Sequence, residues 1–226
     1  VTIAPVSDRE AMHFRFLSSH SNLRDLGSIG MRASDQQTVQ RVIEAPYGMV
    51  LVAGGTGSGK TTTLYALANM LRLMNLIVTS IEDPVEFRLP RVRQLEVSEK
   101  HGFAMYEGLR VILRMDPDVI VIGEIRDRQS ATTAARAGLS GQMVMATIHA
   151  RSPLMAVNAL HSMDVRRYMI GGALRLIIQQ NLVPRLCPEC ARYVELTTEA
   201  RELFARNEVP IPKTVKEAVG CGKCRG

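Results

Sequence analysis

A glycine-rich segment in the first third of the sequence constrains the fold more than any other feature. It runs from Gly54 to Thr61 as GGTGSGKT, follows the apolar run 49–53, and opens a segment of helical character at 61–73. A strand, a tight glycine turn and a helix in that order form the P-loop pattern, whose backbone N–H groups converge on a polyphosphate. The sequence therefore predicts a phosphate-binding loop between a buried strand and a helix.

The residues expected to bind the nucleotide belong to this loop and to the first helical turn. Lys60 is predicted to reach the β- and γ-phosphates, and Thr61 to place its hydroxyl on Mg²⁺. The alternative is a glycine-rich turn that matches the pattern by accident, which the strand and helix on either side disfavour. The full predicted set is Gly55, Thr56, Gly57, Ser58, Gly59, Lys60, Thr61 and Thr62.

Apolar runs recur along the chain, with longer helix-like segments between them. Four runs lie at 49–53, 76–81, 119–122 and 143–148. This rhythm is typical of a parallel sheet covered by helices on both faces. We therefore predict an α/β fold with a RecA-like P-loop core. The helices are expected at 34–45, with Ser34 and Asp35 as candidate caps, at 61–73, 125–137 and 201–207, and over most of 160–182.

The chain is expected to be a piece of a longer protein, because it begins at Val1 rather than at Met. Residues 1–30 are interpreted as the tail of a preceding domain with its linker. Residues 31–186 are predicted to form the RecA-like domain. Residues 187–226 are predicted to form a small cysteine-bearing lobe that is truncated at its C-terminus.

Charge and composition restrict the classes of partner. The chain has 226 residues with 28 Lys and Arg against 22 Asp and Glu, so its net charge is +6. That charge suits nucleic acid, acidic lipid or a polyphosphate ligand. The basic residues are dispersed and Trp is absent, which does not favour nucleic acid. No run approaches the roughly 20 apolar residues of a membrane-spanning helix.

Glu124 is the candidate general base. It follows the apolar run 119–122 and one glycine, so it is expected at the end of a buried strand beside the P-loop. A carboxylate there can orient and polarise the water that attacks the γ-phosphate. The alternative is that Glu124 caps the helix predicted at 125–137.

The four cysteines form two Cys-x-x-Cys pairs. They are Cys187 with Cys190 and Cys221 with Cys224, and together they account for every cysteine in the sequence. Two pairs at this spacing favour a closed tetrahedral Zn²⁺ site that stabilises a lobe poor in apolar residues. Disulfides or four free thiols are the alternatives.

Read together, these residues resemble the type II secretion and type IV pilus ATPases, whose four signature boxes all have counterparts between Gly54 and His149. The resemblance implies that an acidic box contributes Glu82, Asp83 and Glu86 near Mg²⁺ and the catalytic water. It implies that residues 109–127 form the family's version of Walker B, with Glu124 and Arg126 in it. It also implies that His149 approaches the γ-phosphate.

Three further arginines are candidate site residues because of their positions in the sequence. Arg110 and Arg114 are four residues apart, so on a helix they would share one face and could meet the acidic box or a phosphate. A solvated basic face is the alternative. Arg15 stands where the resemblance implies an arginine that reaches the nucleotide of a neighbouring subunit, and an ordinary edge-strand arginine is the alternative.

The chain also departs from the family pattern. Gln142 stands where the family usually has a histidine, so a titrating group is lost there. Ala150 and Arg151 replace a usual Thr-Asn after His149. The segment from Gln180 to Val183 has Asn181 in place of the usual arginine.

The resemblance implies an ATP-hydrolysing motor that powers pilin or pseudopilin assembly, or protein secretion. It implies a homo-oligomer, a hexameric ring in the full-length protein, docked on inner-membrane platform and anchoring proteins at the cytoplasmic face. The tetracysteine lobe favours the assembly and secretion branches. A DNA-translocating RecA-like motor, a P-loop kinase of small molecules and a non-enzymatic adaptor remain alternatives.

Overall fold

The computed structural model describes residues 2–7, 9–13 and 24–224. It divides the chain into two compact units, of which the first ends at Asn181 and the second begins at Leu182. The first unit contains a two-stranded antiparallel hairpin, formed by β1 (Thr2–Val6) and β2 (Arg9–His13), and a six-stranded sheet with its helices.

Strands and helices mostly alternate along the first unit after the hairpin. The strands are β3 (Gly48–Ala53), β4 (Val78–Glu82), β5 (Arg93–Glu96), β6 (Val119–Ile122), β7 (Met143–Ile148) and β8 (Leu174–Gln179). The helices are α1 (Ala33–Ile43), α2 (Lys60–Leu73), α3 (Met105–Ile112), α4 (Arg128–Leu139), α5 (Pro153–Ser162) and α6 (Arg167–Ala173).

All pairings in the six-stranded sheet are parallel, and the strand order is β5-β4-β6-β7-β3-β8. Every residue of β3 is buried; Met49 and Leu51 pack into the core on one face of the sheet, while Val50 and Val52 pack into the core on the other. Burial on both faces explains why these strands read as continuous apolar runs. The predicted α/β fold with a parallel central sheet is confirmed.

The strand order brings the carboxyl ends of four strands to one edge of the sheet. Ala53 of β3 is paired with Ile148 of β7, and Ile122 of β6 is paired with Ile81 of β4. Loops that follow these strands therefore meet at that edge, where ligands bind in open α/β sheets. The P-loop follows β3, and the segments containing Glu124 and His149 follow β6 and β7.

The mostly helical stretch predicted at 160–182 is wrong. Helix α5 ends at Ser162, α6 spans only seven residues, and β8 then forms the sheet edge beside β3. The apolar segment LRLIIQ is short and contains two isoleucines, which suit a strand once β3 offers it an edge. The helical pattern was local, whereas the strand depends on a partner that lies more than a hundred residues earlier.

Predicted helix starts also differ from the observed ones, as the first and fourth helices show. Helix α1 begins at Ala33, so Ser34 and Asp35 lie in its first turn, and the N-cap Arg32 makes no side-chain cap hydrogen bond. Helix α4 begins at Arg128 rather than at 125, because Asp127 accepts a hydrogen bond from Ser130 N and caps it.

The second unit is a small lobe built on an antiparallel hairpin of β9 (Ala191–Glu195) and β10 (Thr214–Ala218), with α7 (Thr198–Arg206) between the strands. Helix α7 has no buried residue, and Leu203 on it is 60% exposed. Such a lobe buries little apolar surface, so it needs another source of stability.

Candidate active site and metal centre

The P-loop occupies the turn from β3 into α2. Gly57 and Gly59 adopt left-handed backbone angles, φ 73° and 83°, which side chains other than glycine's rarely allow. Gly59 is the N-cap of α2 and offers no capping side chain, so the first N–H groups of the helix face the loop. The turn and the helix N-terminus together form an anion-binding arrangement.

Gly54 is required by close packing rather than by its backbone angle. A β-carbon there would lie 2.3 Å from Ser58 Oγ and 2.5 Å from the backbone oxygen of Gln180. Ser58 is buried, and its hydroxyl donates to the Gly55 carbonyl at 2.9 Å. The entrance of the loop is therefore packed tightly, while Gly55, Thr56 and Gly57 at its tip are exposed.

Lys60 lies over the loop. Its Nζ donates to the Gly54 carbonyl at 3.1 Å and to the Gly55 carbonyl at 2.8 Å. Burial lowers the pKa of Lys60, and the negative charge of Glu124 opposes that shift. The ammonium group is thus held against the P-loop carbonyls, within the electrostatic reach of Glu124. Thr61 and Thr62 follow it in the first turn of α2.

Glu124 follows Gly123, the first residue after β6, and its side chain is 14% exposed. Its Oε2 accepts from Arg126 Nε at 2.5 Å. Its Oε1 lies 2.9 Å from His149 Nε2, but the contact lacks the alignment of a hydrogen bond, and this buried oxygen has no other partner within the described residues. A buried carboxylate oxygen with unused acceptor capacity suits an ordered water or a hydrated cation.

The alternative role of Glu124 as a helix cap does not fit the structure. The cap of α4 is Asp127, three residues later. The backbone around Glu124 is instead fixed by strand neighbours: Thr147 Oγ1 donates to the Gly123 carbonyl at 2.6 Å, and Ile125 N donates to the Thr147 carbonyl at 3.0 Å. These bonds orient the Glu124 carboxylate from the sheet edge.

Arg126 joins the Walker B segment to the acidic box. Besides its bond to Glu124, its guanidinium lies 3.5 Å from Asp83 Oδ2. The side chains of Arg126 and Asp83 are 64% and 49% exposed. Three predicted site residues, Asp83, Glu124 and Arg126, therefore form one chain of contacts that His149 extends.

Glu82 is also in the predicted site but lies in a different environment. It is 3% exposed, and its carboxylate accepts from Tyr65, from Ser80 at 2.5 Å and from Gln94 at 3.1 Å. Burial and then the bond to Glu82 raise the pKa of Tyr65. Three donors around a buried carboxylate make a rigid structural anchor.

Glu86 lies next to this anchor. Its backbone N–H donates to the Tyr65 hydroxyl at 3.2 Å, so the anchor also fixes the loop after β4. The sequence predicts Glu82 and Glu86 in the site but no role for Tyr65. A tyrosine among apolar residues on α2 carries no local signal for such a contact, since its partners lie on β4 and in the following loop.

Arg110 lies on helix α3, which ends at Ile112, and Arg114 lies in the turn that follows it. Arg110 stacks on the Tyr106 ring at 5.8 Å, and in the described parts of the chain neither arginine forms an ion pair. Arg15 lies outside the described residues.

The four cysteines converge in the second unit. The pairing of β9 with β10 brings the turn containing Cys187 and Cys190 beside the turn containing Cys221 and Cys224. All four sulfur atoms lie within 4.8 Å of one another, and Sγ–Sγ distances of 3.7 to 4.0 Å join three of the pairs.

These distances fit a tetrahedral metal. A Zn–S bond of about 2.3 Å places tetrahedral thiolates about 3.8 Å apart, close to the spacing found here, and the cysteines form no disulfide. Desolvation and the neighbouring thiols raise the pKa of Cys190 to about 11, so the cluster needs a cation to become a set of thiolates. The donor set fits Zn²⁺.

Comparison with known proteins now decides the family. The family described as "Type II/IV secretion system protein" matches residues 1–226. The chain belongs to this family. The resemblance expected from the motifs is thereby confirmed.

Two curated relatives show how much of such a protein the chain represents. This type II/IV secretion family member is 38% identical over 224 residues to the "Type II secretion system ATPase E" of Vibrio cholerae serotype O1, with 99% of the chain and 44% of the relative covered. It is 36% identical over 228 residues to the "Type IV pilus assembly ATPase PilB" of Myxococcus xanthus, with 99% of the chain and 40% of that relative covered. The chain spans less than half the length of these relatives.

Solved structures agree on the fold of this family member. The crystal structure of the "Pilus Retraction Motor PilT and Bound ADP" is 28% identical, with a TM-score of 0.65, over 76% of this chain and 52% of that one. The X-ray structure of the "Legionella pneumophila ATPase DotB" is 24% identical, with a TM-score of 0.64, over 81% of this chain and 53% of that one. In the described part of the family member, no helix is long and apolar enough to cross a membrane.

Proposed function

We propose that this chain binds ATP with Mg²⁺ at the P-loop and hydrolyses it, as the motor part of a type II secretion or type IV pilus assembly machine. The observation that carries the proposal is the position of Glu124. It lies at the carboxyl edge of the sheet, held by Arg126 and near His149, and its charge acts on Lys60 of the P-loop.

The proposed division of work follows from the chemistry of these groups. The P-loop N–H groups and Lys60 bind the phosphates, and Lys60 leaves the Gly54 and Gly55 carbonyls to do so. Thr61 and Asp83 would hold Mg²⁺, which neutralises charge on the β- and γ-phosphates when bound. Glu124 orients and deprotonates the attacking water through its unused Oε1.

The remaining predicted roles have different support. Glu82 acts through the Tyr65 anchor as a positioning residue, because its oxygens are already occupied by donors. Glu86, Arg110, Arg114 and Arg15 keep their predicted roles as proposals. We place one structural Zn²⁺ on the four cysteines, where a closed site would stabilise the lobe.

The whole protein is proposed to work as a homo-oligomeric ring, hexameric in the full-length form, on the inner-membrane platform and anchoring proteins at the cytoplasmic face. The family and the Vibrio and Myxococcus relatives support a role in a secretion or pilus assembly machine. The ring and its docking partners rest on the resemblance of the sequence motifs alone. The solved structure of a pilus retraction motor with bound ADP supports a nucleotide-driven cycle on this fold.

The test is phosphate release and nucleotide binding by the chain. Lys60→Ala should abolish ATP binding, whereas Glu124→Gln should bind ATP with little change and lose hydrolysis by about 10²- to 10⁴-fold. Glu44→Gln, an exposed carboxylate after α1, is the matched control and should behave like the parent. A parent chain that binds no ATP, or a Glu124→Gln variant that turns over normally, would contradict the proposal.

The same assay separates the proposed motor from the DNA-translocating alternative, which the net charge of +6 supports. Turnover is measured alone, with a DNA duplex, and with vesicles of acidic lipid. Stimulation by DNA alone would favour the alternative and contradict the secretion assignment.

A further inference from the structure

The side chain of Gln180 contacts both the P-loop and the helix that follows it. Its Nε2 donates to the Ser58 carbonyl at 2.8 Å, and its Oε1 accepts from Thr63 Oγ1 at 2.5 Å. Ser58 belongs to the loop, and Thr63, which is fully buried, belongs to the first turns of α2. One amide group therefore ties the loop to the helix that follows it. We call Gln180, Ser58 and Thr63 the loop clamp.

The main chain of Gln180 adds two further constraints. Its N–H donates to the Ala53 carbonyl at 2.9 Å, which continues the pairing of β8 with β3 by one residue. Its carbonyl oxygen lies 2.5 Å from the position that a β-carbon on Gly54 would take. Gln180 thus packs against the point where β3 enters the loop.

The bond to the Ser58 carbonyl fixes the orientation of a peptide group in the loop. In a planar trans peptide the carbonyl of one residue and the N–H of the next point in opposite directions. With the Ser58 carbonyl turned toward Gln180, the Gly59 N–H is turned away from Gln180. Gly59 caps α2, so this N–H is among the donors that a phosphate at the helix N-terminus would use.

We propose that Gln180 is a positioning residue for nucleotide phosphate: it holds the Ser58–Gly59 peptide and α2 in the arrangement that binds phosphate before the ligand arrives. The inference rests on the proposed ATP binding. A loop that is ordered in advance has less conformational entropy to lose on binding, so its ligand binds more tightly. Without the clamp, part of the binding free energy would go into ordering the loop.

The test compares Gln180→Ala with Gln179→Ala. Gln179 is the preceding residue on β8, and among the described residues its amide atoms have no hydrogen-bond partner, so it is a matched control. ADP affinity is measured by calorimetry, and thermal unfolding is followed without nucleotide. We expect Gln180→Ala to raise the Kd for ADP about tenfold, while adenosine binding and nucleotide-free unfolding change no more than in Gln179→Ala.

Variants at Thr63 test the clamp from its other side. Thr63→Val removes the hydroxyl and should weaken ADP binding, whereas Thr63→Ser keeps it and should restore most of the affinity. Gln180→Glu keeps the acceptor for Thr63 and loses the donor to Ser58, so it should weaken ADP binding as well. In the double variant Thr63→Val/Gln180→Ala the two effects should fall short of additive.

The outcomes distinguish this inference from the proposed function. A parent chain that does not bind ADP overturns both. A parent that binds ADP, together with a Gln180→Ala variant of unchanged ADP affinity, overturns the clamp alone. Equal losses of ADP and adenosine affinity would show a general structural defect and would also overturn it.

Discussion

Arg126 Nε lies 2.5 Å from Glu124 Oε2, and the same guanidinium reaches Asp83 Oδ2 at 3.5 Å. The two residues stand two positions apart in sequence, in the turn between β6 and α4. This contact holds the carboxylate that we propose as the general base and links it to the acidic box. The contact therefore predicts how substitutions at these residues change ATP hydrolysis.

Replacing Arg126 by Ala should lower kcat for ATP hydrolysis about tenfold, with a smaller effect on nucleotide affinity. The reason is that Glu124 would lose the contact that fixes one of its oxygens while the phosphate-binding groups stay intact. Arg128→Ala is the control, because Arg128 pairs with Asp164 at 2.9 Å instead. Steady-state phosphate release measures both variants, and a larger change in KM than in kcat for Arg126→Ala would contradict this role.

Replacing His149 by Ala should leave ATP affinity within about twofold and should impair the use of hydrolysis for motion. His149 Nε2 lies 2.9 Å from Glu124 Oε1, so His149 can report the state of the base to the segment after β7. The readout is pilus assembly or protein export by the full-length protein, beside nucleotide binding by this chain. His161→Ala, an exposed histidine on α5, is the control. Normal output from His149→Ala would refute the assignment.

Replacing Tyr65 by Phe should lower the free energy of unfolding by about 1 to 3 kcal/mol, because the buried Glu82 carboxylate would lose a donor. Denaturant unfolding measures the change. Tyr168→Phe removes a hydroxyl from a tyrosine that is 66% exposed and should change stability little. Equal stability of the Tyr65 variant and the parent would show that the anchor contributes nothing.

The Tyr65 anchor also predicts alkaline behaviour. The pKa of Tyr65 is raised above its ordinary value of 10.0 by burial and by Glu82. A group whose folded-state pKa is raised contributes its full stability below the unfolded pKa and loses it as pH rises toward the folded one. The parent should therefore lose stability above pH 10 more steeply than Tyr65→Phe does. Parallel stability curves in that range would contradict the shift.

The four cysteines should hold about one zinc per chain. Because metal ligation supplies folding free energy to such a lobe, Cys187→Ser should lose the metal and expose the second unit to protease. ATP binding by the first unit should persist. Glu189→Gln, on an exposed side chain in the same turn, is the control. Elemental analysis of protein purified without added zinc decides the matter, and four freely titratable thiols with no metal would disprove the site.

The predictable part of this protein lies in local patterns. The P-loop could be found from sequence because its glycines meet local backbone and packing requirements, as at Gly57 and Gly59. The central strands could be found because burial on both faces demands apolar residues at every position, as in β3. Each cysteine pair could be found because its two members stand three positions apart, and Glu124 because it follows a buried strand.

Tertiary structure decided which distant residues contact each other around the site. The amide of Gln180 meets Thr63, 117 positions earlier, because β8 adds to the sheet beside β3; the same pairing turned a predicted helix into a strand. Glu82 became a buried anchor rather than an open ligand because α2 presents Tyr65 to the end of β4. Periodicity and turn chemistry act over a few residues, whereas these contacts depend on the strand order of the sheet, which no short stretch of sequence encodes.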